Sequence, residues 1–296
     1  IGLAHGYLLW YGDILAVYAL VALIAYLFWT VRPVPLTIVG LVVLGVSSLL
    51  YWLGGMSFTY APPEALEGMM AFWRPGAETV AEQLAAYRGS WLDQMSQRAP
   101  SMTMELTMSF WAFLAWRAGG MMLLGMALYK WGVLSAVRTR RFYAILAVVG
   151  LAVGMPIIAI GVVRRFADGW TIQYSFMQGS QYNYWGSVLV VLGYVGLVML
   201  GVKDRQLGKV GRALAATGRM AFSNYLLQTV ICTTIFYGHG LGLYGRLERW
   251  QLVPIVLAVW AFEIWFSRFW LERFRFGPAE WLWRTLTYMK PQPMRR

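Results

Sequence analysis

Apolar residues gather in seven long stretches, 7–29, 36–53, 108–130, 142–163, 184–202, 220–240 and 250–272, with charge and polarity returning between them. A helix rises 1.5 Å per residue, so about 20 apolar residues cross the roughly 30 Å of hydrocarbon in a bilayer. The pattern predicts an all-α fold, a polytopic transmembrane helix bundle forming a single transmembrane domain over 1–296. The second and fifth stretches are a little short and would stand nearly upright. Residues 54–103 follow another rhythm, with Leu84, Tyr87, Trp91, Leu92 and Met95 recurring at helical spacing among charges. That spacing predicts one or two amphipathic helices on the outer membrane surface, serving as a hydrated connector or as a lid over an outward-facing cavity.

Charge orients the chain. Of its 25 Lys and Arg, sixteen fall in the segments 30–35, 130–141, 203–219 and 273–296, among them Lys130, Arg205, Lys209 and Arg212. The opposite segments hold seven, Arg74, Arg88, Arg98, Arg164, Arg165, Arg246 and Arg249. Because cytoplasmic loops carry the Lys/Arg excess, the chain is expected to start outside and to end with a basic-aromatic tail, 273–296, in the cytoplasm. The net charge of +12 is thus an orientation signal, since it forms no basic stripe of the kind that binds nucleic acid. With 59% hydrophobic and 13% charged residues the chain is no soluble domain. The single cysteine, Cys232, lies in an apolar run, which excludes an intrachain disulfide or a zinc cluster of cysteines and suits a packing role. No metal site is expected. The chain begins at Ile1 without an initiator Met and is expected to lack N-terminal helices.

Polar residues inside apolar stretches carry the candidate chemistry, because an ionisable group in hydrocarbon needs a partner, a proton or a water-filled cavity. Asp13 stands in the first stretch and is either paired to a neighbouring helix or catalytic. At a similar depth in the third stretch, Arg117 is its expected partner, with Glu263 as the second candidate. Asn224, Gln228 and Cys232 share one face of the sixth stretch, with Tyr225 and Thr229 beside them, as interhelical glue or as the lining of a polar cavity. Arg268 and Glu272 form an i,i+4 pair. The only two histidines, His5 and His239, lie at outer helix ends. A solvated role suits both, while His5, near Asp13, is suited to act as a general base. On a continuous helix the two would lie two turns apart, too far for a direct hydrogen bond.

Two stretches carry a resemblance. GRMAFSNYLLQ (218–228) and RFRFGPAEWLWR (273–284), with HGYLLWYGDIL near the start, resemble the YeiB-like family of bacterial inner-membrane proteins, catalogued as a domain of unknown function. Members of that family carry further helices before this point. The family is grouped at a distance with membrane acyltransferases, which use a membrane-embedded histidine to move an acyl group from cytoplasmic coenzyme A to a sugar or lipid. The resemblance implies a transacylase with His5 and Asp13 catalytic, and Arg117, Asn224, Gln228 and Glu263 binding substrate. Acyl-CoA would be the donor, with Arg273 and Arg275 holding its phosphates; an interfacial anchor is the other reading of that tail. Membrane lipids and a small-molecule, sugar or lipid substrate are the expected partners, with a homo-oligomer or a larger membrane complex left open. A transporter of a small solute, with Asp13, Arg117 and Glu263 forming its path, and a non-catalytic accessory subunit are the alternatives.

Overall fold

The computed structural model describes residues 1–58, 60–204 and 207–295, so Arg205 and Arg296 of the basic segments lie outside the described residues. These residues are helical throughout, apart from turns and an isolated antiparallel bridge between Phe274 and Arg295. Among the described residues five helices are long and apolar enough to cross a membrane: Pro33–Ser57, Met95–Lys130, Arg140–Ala167, Gln173–Lys203 and Arg249–Arg273. Two further apolar helices, Leu15–Phe28 and Ala221–Phe236, are shorter. All seven expected stretches are therefore helical, with the first and sixth curtailed.

The chain divides into two compact units. One comprises Ile14–Thr79 and Thr103–Gln206, the other Ile1–Asp13, Val80–Met102 and Leu207–Arg296. The former contains α2 (Leu15–Ala25), α3 (Pro33–Ser57), α4 (Pro63–Trp73), α7 (Ala115–Lys130), α8 (Arg140–Ala167) and α9 (Ser180–Lys203). Proline at the first position starts α3, and the Thr139 hydroxyl caps α8 by accepting the Phe142 N–H. Two of the long helices contain π-helical segments, Glu105–Leu114 ahead of α7 and Gln173–Gln178 ahead of α9. Close packing of α8 on α9 depends on glycine. A Cβ added at Gly150 would lie 2.5 Å from the Gly193 nitrogen, so the two backbones touch where lipid offers no hydrophobic drive to association.

The other unit contains α1 (Gly2–Leu8), α5 (Ala77–Arg88, from Val80), the start of α6 (Met95–Met104), α10 (Gly208–Arg219), α11 (Ala221–Phe236), α12 (Leu252–Arg273) and α13 (Pro278–Tyr288). Here the first apolar stretch departs from expectation. It is two helices separated by an irregular segment, residues 9–14, rather than one continuous span. Buried Ala216, Met220 and Leu271, with Phe266 and Trp270 packed on them, form this unit's apolar cluster.

Candidate functional site

The break in the first stretch builds the site. Both Leu9 and Trp10 donate their N–H to the His5 carbonyl, 2.9 and 3.0 Å away, which closes α1. Beyond them Gly12 lets the Trp10 ring lie on the backbone, since a Cβ at that position would meet the ring at 2.6 Å. The bend returns Asp13 to His5, and Nδ1 of the imidazole lies 2.8 Å from Oδ1 of the carboxylate. The expectation that these residues stand too far apart assumed an unbroken helix and is corrected by this contact. Both are buried, at 3% and 0% exposure, so His5 is not a solvated interfacial side chain either.

Tyr225 of α11 completes the group. Its hydroxyl donates to the same Asp13 oxygen at 3.3 Å, and its ring centroid is 5.0 Å from that of His5. An ionised carboxylate only accepts hydrogen bonds, so Nδ1 carries the proton of this contact. A neutral imidazole so held keeps its lone pair on Nε2, which is buried without a hydrogen-bond partner among the described residues. This is the arrangement a general base needs: one nitrogen fixed by a carboxylate, the other open.

Residues 91–98 support the bend by taking the carbonyls that the end of α1 leaves without helical donors. Arg98 donates from Nε to the Tyr7 carbonyl at 2.7 Å and from Nη1 to Leu9 at 3.5 Å, while Trp91 Nε1 donates to Leu8 at 2.8 Å. Arg98, 1% exposed, also donates to Gln94 Oε1, and Gln94 Nε2 lies 3.2 Å from Nδ1 of exposed His239. Replacing Arg98 with methionine fills the space but strips two partly buried carbonyls of charged donors. Each such bond contributes about 1.5–3 kcal/mol, so a loss of about 3–5 kcal/mol is expected, read as a lower melting temperature in detergent. An unchanged melt would show that Arg98 does not hold the bend. Beside it, the rings of Tyr87, Tyr237 and Tyr244 cluster, with Gly238 N–H donating to the Tyr87 carbonyl at 2.9 Å. Burial pushes the Tyr87 hydroxyl up to about 12, Tyr11 and Tyr244 adding to the effect, so it stays neutral near pH 7.

The remaining candidates distribute differently. Asn224, Gln228 and Glu263 line one cavity of about 290 Å³ together with Tyr225. Within it Asn224 donates to Ser267 Oγ at 2.9 Å, whereas Glu263 Oε1 is buried without a partner among the described residues. Arg117 belongs to the unit that contains α7, whereas Asp13 and Glu263 belong to this one. Arg117 donates to the Tyr184 carbonyl and to Ser187 Oγ, each at 2.9 Å, and stacks 4.3 Å over the Tyr184 ring. Glu272 pairs at 4.0 Å with Arg273 rather than with Arg268. Arg273 also donates to the Phe269 carbonyl and lies over the Phe269 ring, and Arg275 N–H donates to the Met294 carbonyl.

The two signature stretches meet in this unit. Glu280, in the first turn of α13, accepts the Phe222 and Ser223 N–H groups at 2.8 and 3.1 Å, and the Ser223 hydroxyl as well. The Ser223 oxygen in turn accepts the Ala279 N–H at 2.9 Å. A carboxylate thus caps the N-terminus of α11, the helix that presents Tyr225. Gly277 makes room, since a Cβ there would lie 2.6 Å from Ser223 Oγ. Glu280→Ala is expected to cost about 1–3 kcal/mol by leaving those donors unpaired, measured as a lower unfolding midpoint. Both Ser223 and Glu280 lie in the signature stretches, yet neither stretch alone marks them as partners.

Fold and site together define an integral membrane protein whose interior holds a buried histidine–aspartate pair. Residues 128–290 match the family described as Protein of unknown function (DUF418). Over 297 residues the chain is 32% identical to the uncharacterized protein YeiB of Escherichia coli (strain K12), covering 99% of this chain and 74% of that protein. It is 31% identical over 301 residues to the uncharacterized protein YxaH of Bacillus subtilis (strain 168), covering 99% and 70%. The chain belongs to the DUF418, YeiB-like family, as the signature stretches indicated. No solved structure matches it.

Proposed function

We propose that the chain is a membrane transacylase that moves an acyl group from a coenzyme A thioester to a hydroxyl or amine acceptor, with His5 as general base and Asp13 as its orienting partner. The observation that carries this reading is the 2.8 Å contact from Nδ1 to Asp13, with Nε2 buried and without a hydrogen-bond partner among the described residues. In the reaction Nε2 takes the proton of the acceptor O–H or N–H as the heteroatom attacks the thioester carbonyl. The C–S bond then breaks, and the imidazolium returns the proton to the departing thiolate. Asp13 keeps the ring in the competent tautomer and stabilises its charge. Gln228 and Glu263, in the cavity that Tyr225 also lines, are suited to hold polar groups of a substrate.

The protein resides, in this reading, in the bacterial cytoplasmic membrane with its Lys/Arg-rich segments and C-terminus inside. With Cys232→Ser as background, an impermeant thiol reagent on intact cells should modify Glu82→Cys and spare Lys209→Cys; the reverse pattern would place the donor on the wrong side. The activity is tested by incubating the purified chain with labelled acyl-CoA and a mixed pool of lipid and sugar acceptors. Release of free coenzyme A together with a labelled acceptor is expected. No release would contradict the proposal and leave an accessory role.

A further inference from the structure

Four exposed cations of one unit line a single cavity that holds one acid, Glu272. Lys209, Arg212 and Arg219 come from α10 and Arg268 from α12, around a cavity of about 400 Å³. The three on α10 are spaced by three and seven residues, which keeps them on one side of the helix. Beneath them Ala216 packs on Leu271, both buried, and this apolar contact fixes α10 against the last turns of α12. Alanine is small enough for the two helices to approach closely, which brings Arg268 to the same cavity as the α10 cations.

No side chain of the four donates a hydrogen bond or forms an ion pair among the described residues, and Glu272 is the one acid in the lining. Its carboxylate lies 4.0 Å from Arg273, which is not part of the cavity. Exposed cations gathered at one cavity add up to a local positive potential that attracts anions. Guanidinium groups present paired N–H donors that match the oxygens of a phosphate, and lysine adds a point charge. We infer that this cavity binds a phosphate-bearing anion of two or more negative charges, either a soluble phosphorylated ligand or the headgroup of an anionic phospholipid. The inference stands whether or not the chain transfers acyl groups, because it uses neither His5 nor Asp13.

The test uses the full chain in phosphatidylcholine nanodiscs, titrated with pyrophosphate at fixed ionic strength. A parallel set of nanodiscs containing phosphatidylglycerol or cardiolipin is examined for lipid retained on release into detergent. Arg212→Gln and Arg268→Gln are compared with Arg284→Gln and Lys290→Gln, cations outside the cavity that are exposed like the first pair. Saturable pyrophosphate binding that weakens about tenfold in each of the first pair, and not in the second, supports a soluble ligand. Retention of the anionic lipid, lost in the first pair only and without pyrophosphate binding, supports a headgroup. Binding of neither probe, or equal losses in both pairs, would overturn the inference and reduce the cluster to diffuse positive charge. Melting temperatures of all four variants confirm that each is folded.

Discussion

His5→Asn is expected to lower the rate of coenzyme A release by about 10²–10⁴ while leaving the protein folded, because general-base catalysis typically contributes that much. Asparagine is chosen over alanine because His5 is buried against a buried carboxylate. Alanine would leave Asp13 without the imidazole N–H and would confuse lost chemistry with lost stability. The asparagine amide can still donate to the Asp13 carboxylate, yet has no basic nitrogen to present to an acceptor. His239→Gln is the control: that ring is exposed, and its Nδ1 lies 3.2 Å from Gln94 Nε2 rather than near a carboxylate. It should keep close to full activity. Full activity in His5→Asn, with His239→Gln inactive, would contradict the role of His5 and assign the chemistry to His239.

Asp13→Asn should lose up to about 10⁴ in kcat with little change in KM, since the amide no longer dictates which imidazole nitrogen carries the proton. Asp13 does not touch the acceptor in this mechanism. It acts by holding the Nδ1–H, and Tyr225 shares its oxygen. The double variant with His5→Asn should therefore be scarcely slower than His5→Asn alone, because two residues that act as one unit are not additive. Additive losses would mean that Asp13 and His5 contribute separately. Tyr225→Phe removes one hydrogen bond to the carboxylate and keeps the ring against the imidazole, so its effect should be much smaller.

The long helices were legible because length and apolarity alone decide whether a segment can span a bilayer, and α3, α8 and α12 lie within a few residues of the expected stretches. Helix α10 was read as a loop, since GKVGRALAATGR is short, basic and only locally apolar. The break at residues 9–14 was hidden because Leu9, Trp10, Tyr11 and Ile14 keep the stretch apolar, and a single glycine does not mark a bend. That one misreading concealed the His5–Asp13 contact, though both residues were singled out for the right chemical reasons. Arg98 looked like a surface charge between helices; its burial follows from carbonyls that α1 leaves open, which no local pattern reveals. Ser223 and Glu280 lie 57 residues apart, and their contact is a property of tertiary packing.

The pair can be examined directly because the sequence holds only two histidines. In a His239→Gln background, protein labelled with ¹⁵N in histidine gives the nitrogen spectrum of one imidazole, His5. The account predicts, at neutral pH, a protonated Nδ1 and an unprotonated Nε2, with the pattern changed by Asp13→Asn. A protonated Nε2 beside a bare Nδ1, or a spectrum indifferent to Asp13→Asn, would contradict it.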